Sequence, residues 1–133
     1  MHLDARLNNG TIGYAGLAVQ DTRNTATRER LANSPRFLAN GGISIPLHSN
    51  KLFVSPELQY VGSRRTLSGG TADPFALFNL IVGSQTPIRG YDLRLCVYNL
   101  FDADIHVPGS PEHIQDLIPQ EGRTVWLQAS RMF

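Results

Sequence analysis

The chain has 133 residues, 41% hydrophobic and 17% charged, the make-up of one ordered domain rather than of a disordered segment. Twelve basic residues against eleven acidic leave a net charge of +1; with both signs interspersed, no broad field points to nucleic acid or to an acidic partner. The longest apolar stretch, Phe75 to Gly83, is about half of the ~18 residues that a membrane-spanning helix needs.

From the first residue the pattern has period two. Met1, Leu3, Ala5 and Leu7 alternate with His2, Asp4 and Arg6, as a strand with one apolar and one polar face requires. The same three polar residues break any apolar core of a leader, so no signal peptide is expected. Residues 11–22 set Ala15, Leu17 and Val19 against Gly16, Ala18 and Gln20; residues 36–47 set Phe37, Ala39, Ile43 and Ile45 against Asn40, Gly42 and Ser44. Residues 51–62 place Leu52, Val54, Leu58 and Tyr60 opposite Phe53, Ser55, Glu57 and Gln59, with Pro56 removing one ladder hydrogen bond. Phe78, Leu80 and Val82 carry the pattern through residues 75–84, and Leu93, Leu95 and Val97 through residues 91–101. Cys96, which has no second cysteine to pair with, reads as a small hydrophobe inside that strand. Residues 122–133 close the series with Val125, Leu127, Ala129 and Phe133 on one face. Seven strands and no helix are expected.

The connections alternate in length. Asn8-Asn9-Gly10, His48-Ser49-Asn50 and Gln85 to Gly90 are tight, turn-forming links. Arg23 to Pro35, Ser63 to Pro74 and Asp102 to Glu121 are long and rich in Gly, Pro, Ser, Thr, Asn and Asp. A transmembrane barrel alternates in this way, with short turns on one side and long loops on the other. Runs of ten to twelve residues also suit the ~9–11 that cross a bilayer at a tilt. Single-chain bacterial barrels have an even number of strands and must close, so seven strands read as part of something larger.

The run Leu95-Cys96-Val97-Tyr98-Asn99-Leu100-Phe101-Asp102 resembles the Val-Tyr-Asn-Leu-Phe-Asp segment near the C-terminus of TonB-dependent outer-membrane receptors. The loop Pro108 to Asp116, the stretch Ile118-Pro119-Gln120-Glu121-Gly122-Arg123-Thr124 and a final strand ending in Phe133 are similar to that family too. So are Gln20-Asp21, Asn33-Ser34-Pro35-Arg36, Pro46-Leu47, Glu57-Leu58-Gln59-Tyr60 and Ser63-Arg64-Arg65-Thr66-Leu67.

The resemblance implies that residues 1–133 are the C-terminal portion of a twenty-two-stranded receptor barrel, without its plug domain. Such receptors import ferric siderophores or other scarce nutrients, using energy that TonB delivers through N-terminal parts absent here. The fragment alone is therefore not expected to transport. Expected partners are outer-membrane lipid, the remaining barrel and plug, and the barrel-assembly machinery, whose signal in the family corresponds to Val125, Leu127, Ala129 and Phe133. The family motif falls on Asn99, Leu100, Phe101, Asp102, Gly122, Arg123 and Thr124. Trp126 then faces the lumen, and Arg131 shares the lipid face, where a charge is tolerated only close to the interface.

His106 and His113 share a loop with Asp102, Asp104, Glu112 and Asp116, but their spacing fits no defined metal motif. Ser110, His113 and Asp116 could be drawn as a triad, yet no nucleophile elbow surrounds the serine; neither enzymatic activity nor a cofactor is expected. Arg23, Arg28, Arg30, Arg64 and Arg65 gather in two long loops, where guanidinium groups suit oxygen anions; a solvated face of mixed charge explains them better. Asn40, Glu57, Gln59, Asn79 and Arg94 are expected in the lumen. The rival readings are a small self-associating membrane pore or adhesin, and a soluble β-sandwich binding module whose apolar faces pack together.

Overall fold

The computed structural model describes residues 1–48, 51–84, 87–88 and 90–131, and among them the chain is all β. The strands are β1 (His2–Arg6), β2 (Ile12–Val19), β3 (Phe37–Leu47), β4 (Leu52–Val61), β5 (Arg64–Arg65), β6 (Thr71–Ala72), β7 (Phe75–Ser84), β8 (Tyr91–Tyr98), β9 (His106–Pro108), β10 (Leu117–Pro119) and β11 (Thr124–Arg131). Seven of them form one antiparallel meander in the order β1-β2-β3-β4-β7-β8-β11. The short pairs β5–β6 and β9–β10 lie off the sheet, inside two of the long loops; the sequence pattern does not announce them.

The seven main strands run five to eleven residues, several shorter than the ten to twelve expected. The turns consume the difference. Leu7 N–H donates to Thr11 C=O at 2.9 Å and Gly10 N–H to Leu7 C=O at 3.1 Å, so β1 stops at Arg6. Asn99 takes φ 51°, a left-handed conformation that no strand continues, so β8 stops at Tyr98. Phe133 and the turn residues Ser49, Asn50, Gln85, Thr86 and Arg89 lie outside the described residues.

Pairing keeps one register across the whole sheet. Leu3 sits opposite Ala15, Leu17 opposite Ala39, Leu58 opposite Phe78, Val82 opposite Leu95, and Leu95 opposite Leu127. Directly paired residues share a face, so the apolar stripes read in single strands join into one apolar surface. Val125, Leu127 and Ala129 belong to it through Val97, Leu95 and Leu93. The ladder between β3 and β4 skips Ile43–Ser44 against Ser55–Pro56; Pro56 has no N–H to give.

Among the described residues, no layer covers this apolar face. Leu3, Val125 and Leu127 are 58%, 61% and 77% exposed. The buried apolar residues among those described, Val61, Ala72 and Ile105, cluster at the loop end. The second sheet that a sandwich needs is absent among the described residues. The sheet is also open, because β1 and β11 each pair on one edge only.

Candidate functional site

The opposite face carries the chemistry. His2, Asn40, Glu57, Gln59, Asn79 and Arg94 all project there by register, as the alternation predicts for the last five. Two recesses of about 700 and 570 Å³ open on it. The first takes in His2, Tyr14, Asn40, Glu57 and Asn79. The second is roofed at the loop end by Ile105 and Val107, because the β9–β10 hairpin folds back over the face.

The three long loops interlock. Asn33 N–H donates to Arg65 C=O at 2.8 Å and Arg64 Nη1 to Asn33 Oδ1 at 3.2 Å, tying the first loop to the second. Ser68 N–H reaches Asp116 Oδ1 at 3.4 Å, tying the second to the third. Hydrogen bonds from Ser68 and then Thr66 hold the Asp116 carboxyl below its usual range.

The motif residues of the third loop meet across 21 positions of sequence. Asn99, buried, accepts from Ala103 N–H and donates to Ala103 C=O, both at 2.9 Å. Its own N–H goes to Asn79 Oδ1 at 3.1 Å. Asp102, at φ 56°, accepts from Arg123 N–H at 2.7 Å. A Cβ on Gly122 would stand 2.7 Å from that same carboxylate oxygen, so glycine is what the clasp admits. Leu100 N–H bonds Phe78 C=O at 2.7 Å, which swings Phe101 onto the Phe78 ring at 5.0 Å, edge to face. Thr124 opens β11 opposite Tyr98. The structure thus brings Asn99, Leu100, Phe101, Asp102, Gly122, Arg123 and Thr124 together as a fastening that sets where β8 ends and β11 begins.

Aromatic pairs mark the rims of the apolar face. Phe37 and Tyr60 meet edge to face at 5.6 Å near the loop end. At the turn end the Arg131 guanidinium lies 5.6 Å over the Tyr91 ring, which places that charge at the last residue of β11.

The charged residues of the first loop are of mixed sign and, Arg30 apart, exposed. Asp21 is the centre of the arginine group: Arg23 grips Oδ2 at 2.8 and 3.0 Å, Arg30 reaches Oδ1 at 3.3 Å, and Arg36 stands 4.0 Å away. Chiefly through the Arg23 hydrogen bonds, its carboxyl is held below the ordinary 3.8. Arg64 stacks 5.5 Å over Phe75, and burial lowers its pKa. Arg23 is a local partner of Asp21, whereas Arg30 and Arg36 reach it only through the bend of the loop.

Ser110, His113 and Asp116 do not form a relay. Asp116 is engaged by Ser68, and His113 gives its backbone N–H to Ser110 C=O in a turn. Among the described residues no group of three or more His, Cys, Asp or Glu is placed to hold a metal ion. No protein-family model matches the chain, and no curated protein matches it either.

Proposed function

We propose that this chain is part of the wall of an outer-membrane β-barrel, the C-terminal portion of a TonB-dependent transporter for ferric siderophores or similarly scarce nutrients, with a role in transport rather than catalysis. The observation that carries the barrel reading is the two-sidedness of the sheet: one continuous apolar face that nothing among the described residues covers, backed by a recessed polar face. In water about 25 cal/mol would be lost for every Å² of that apolar face left wet; in lipid the loss disappears. Dimensions agree. The eleven residues of β3 extend about 37 Å at ~3.4 Å each, or about 26 Å across a bilayer at ~45° tilt, close to the ~25 Å apolar band of such barrels.

The direction of the two open edges favours a longer chain over a ring of copies. β1 runs from the loop end to the turn end, and so does β11. Copies inserted the same way up would have to join β11 to β1 in parallel. An odd number of further strands closes the sheet antiparallel throughout, the arrangement of up-and-down barrels. For the receptor family the support is narrower: the residues that carry the resemblance are those that build the Asn99–Asp102 and Gly122–Arg123 fastening.

The test is to send the chain, in a Cys96→Ser background, through an export signal and fractionate the cells. It is expected in the outer membrane and released only by detergent. A cysteine at Thr25 or Ser68 should be labelled on intact cells, and one at Asn9 should not. Recovery from the aqueous fraction without detergent would overturn the barrel. The receptor assignment fails if the in-frame DNA upstream of the Met1 codon encodes neither a plug nor roughly fifteen further strands.

A further inference from the structure

Five aromatic side chains project from the polar face: Tyr14, Phe53, Phe75, Tyr98 and Trp126, as the pairings Tyr14 with Gly42, Phe53 with Gly83, Phe75 with Val61, Tyr98 with Thr124 and Trp126 with Cys96 show. Three have a structural task. Tyr14 lies over Gly42 and Phe53 over Gly83, so closely that a Cβ on either glycine would stand 2.7 or 2.8 Å from the ring; an aromatic ring across a strand glycine shields backbone that has no side chain of its own. Phe75 is covered by the Arg64 guanidinium. Tyr98 and Trp126 cover no glycine and stay 42% and 64% exposed.

Both belong to the roofed recess of about 570 Å³, a size within the ~300–1,000 Å³ of small-molecule sites. Phe75, Leu77, Ile105 and Val107 supply its apolar walls, and Gln59 and Gln120 its amides. Among the described residues, no hydrogen bond engages the Gln59 amide, the Tyr98 hydroxyl or the Trp126 indole N–H. The single charged side chain at the rim is Glu121, which disfavours an anion.

We infer that this recess is a binding site for an uncharged, planar aromatic group bearing hydrogen-bonding substituents, stacked on Trp126 and Tyr98 and held at its edge by Gln59 and Gln120. Its walls come from this chain alone. The inference rests on the barrel reading for what the polar face meets, namely the lumen rather than lipid.

Trp126 is the only tryptophan, so its emission reports on the recess directly. Cys96, the only cysteine, sits opposite it and gives a second readout. The full chain, folded in detergent micelles, is titrated with 4-hydroxybenzamide. Saturable quenching is expected, with a Kd on the order of 1 mM for a ten-atom probe, together with slower alkylation of Cys96 by maleimide. Tyr98→Ala should weaken binding about fivefold, the worth of one aromatic stacking partner, while His2→Ala, in the neighbouring recess, should leave it unchanged. Equal binding of trans-4-hydroxycyclohexanecarboxamide, which keeps the polar groups and loses the flat ring, would overturn the inference. Linear, unsaturable quenching with no protection of Cys96 would do the same. Circular dichroism and the need for detergent read the barrel proposal separately: a chain that keeps its strands and fails to bind refutes the site alone. A chain that cannot hold its strands refutes the assignment of a complete site to these residues.

Discussion

Leu127 and Gln128 are neighbours near the middle of β11, both exposed, on opposite faces of the sheet. They give the most direct reading of what each face meets. Leu127 lies between Val125 and Ala129 on the apolar side, opposite Leu95, and Gln128 is paired with Arg94 on the polar side. Replacing an exposed leucine by arginine in water changes stability by no more than about 0.5 kcal/mol. At the bilayer midplane the same charge costs about 2–4 kcal/mol, falling to about 0–1 near the interface. Leu127→Arg is therefore expected to lower the folding equilibrium constant in liposomes by roughly 30- to 1,000-fold, and Gln128→Arg by no more than about twofold. Urea titration followed by Trp126 emission measures both, with a midpoint shift of about 1–2 M for the first at an m-value of ~2 kcal/mol per molar. Ala129→Arg should fall between them, since Arg131 two residues on already stands at the strand end. Equal effects of Leu127→Arg and Gln128→Arg would refute the reasoning, because no lipid would then distinguish the faces.

Three further outcomes follow from the loop end. Asn99→Ala removes two hydrogen bonds to Ala103 and a side chain tolerant of φ 51°, and should cost about 2–3 kcal/mol in the same unfolding assay; Asn99→Gly, which restores only the backbone freedom, should recover part of it. Gly122→Ala pushes a methyl against the Asp102 carboxylate, and Asp102→Ala removes the acceptor of Arg123 N–H. Because the two changes act on one contact, the double variant should be at least about 0.5 kcal/mol more stable than the sum of the single losses, and strict additivity would dismiss the contact. The Asp21 carboxyl titrates below 3.8 in the folded chain. Its stabilising contribution is thus complete above that value and is lost as pH falls through the lowered folded pKa. An NMR titration of the Asp21 carboxyl should place its pKa below that of a free aspartate, and Arg23→Ala, which removes the hydrogen bonds chiefly responsible, should raise it.

Strands and faces were legible because they rest on alternation that needs no distant partner: Leu93, Leu95 and Leu127 declare a face wherever the strand pairs. The alternation of short and long links was legible for the same reason, turn chemistry being local in Asn8-Asn9-Gly10. The fastening was legible only as a resemblance. That Asp102 and Gly122 belong together needs a contact across a loop containing its own hairpin, and β9 and β10 are three residues each, too short for any period to register. Asp21 gave no signal beyond being an acid near arginines, and its grip on Arg30 depends on a bend that folds positions 23 and 30 together. The recess escaped for a related reason: its roof, Ile105 and Val107, and its wall, Trp126, lie some twenty residues apart.

The strand order has a kinetic meaning as well. Every main strand pairs only with the one before and after it along the chain, so the sheet can grow as successive hairpins without threading. Lengthening a connection adds little entropy, about 0.6 kcal/mol per doubling, so the long links slow this growth only slightly. The Asn33–Arg65 and Ser68–Asp116 ties bridge loops that belong to different hairpins. If these contacts close last, they stabilise the finished sheet chiefly by slowing its unravelling.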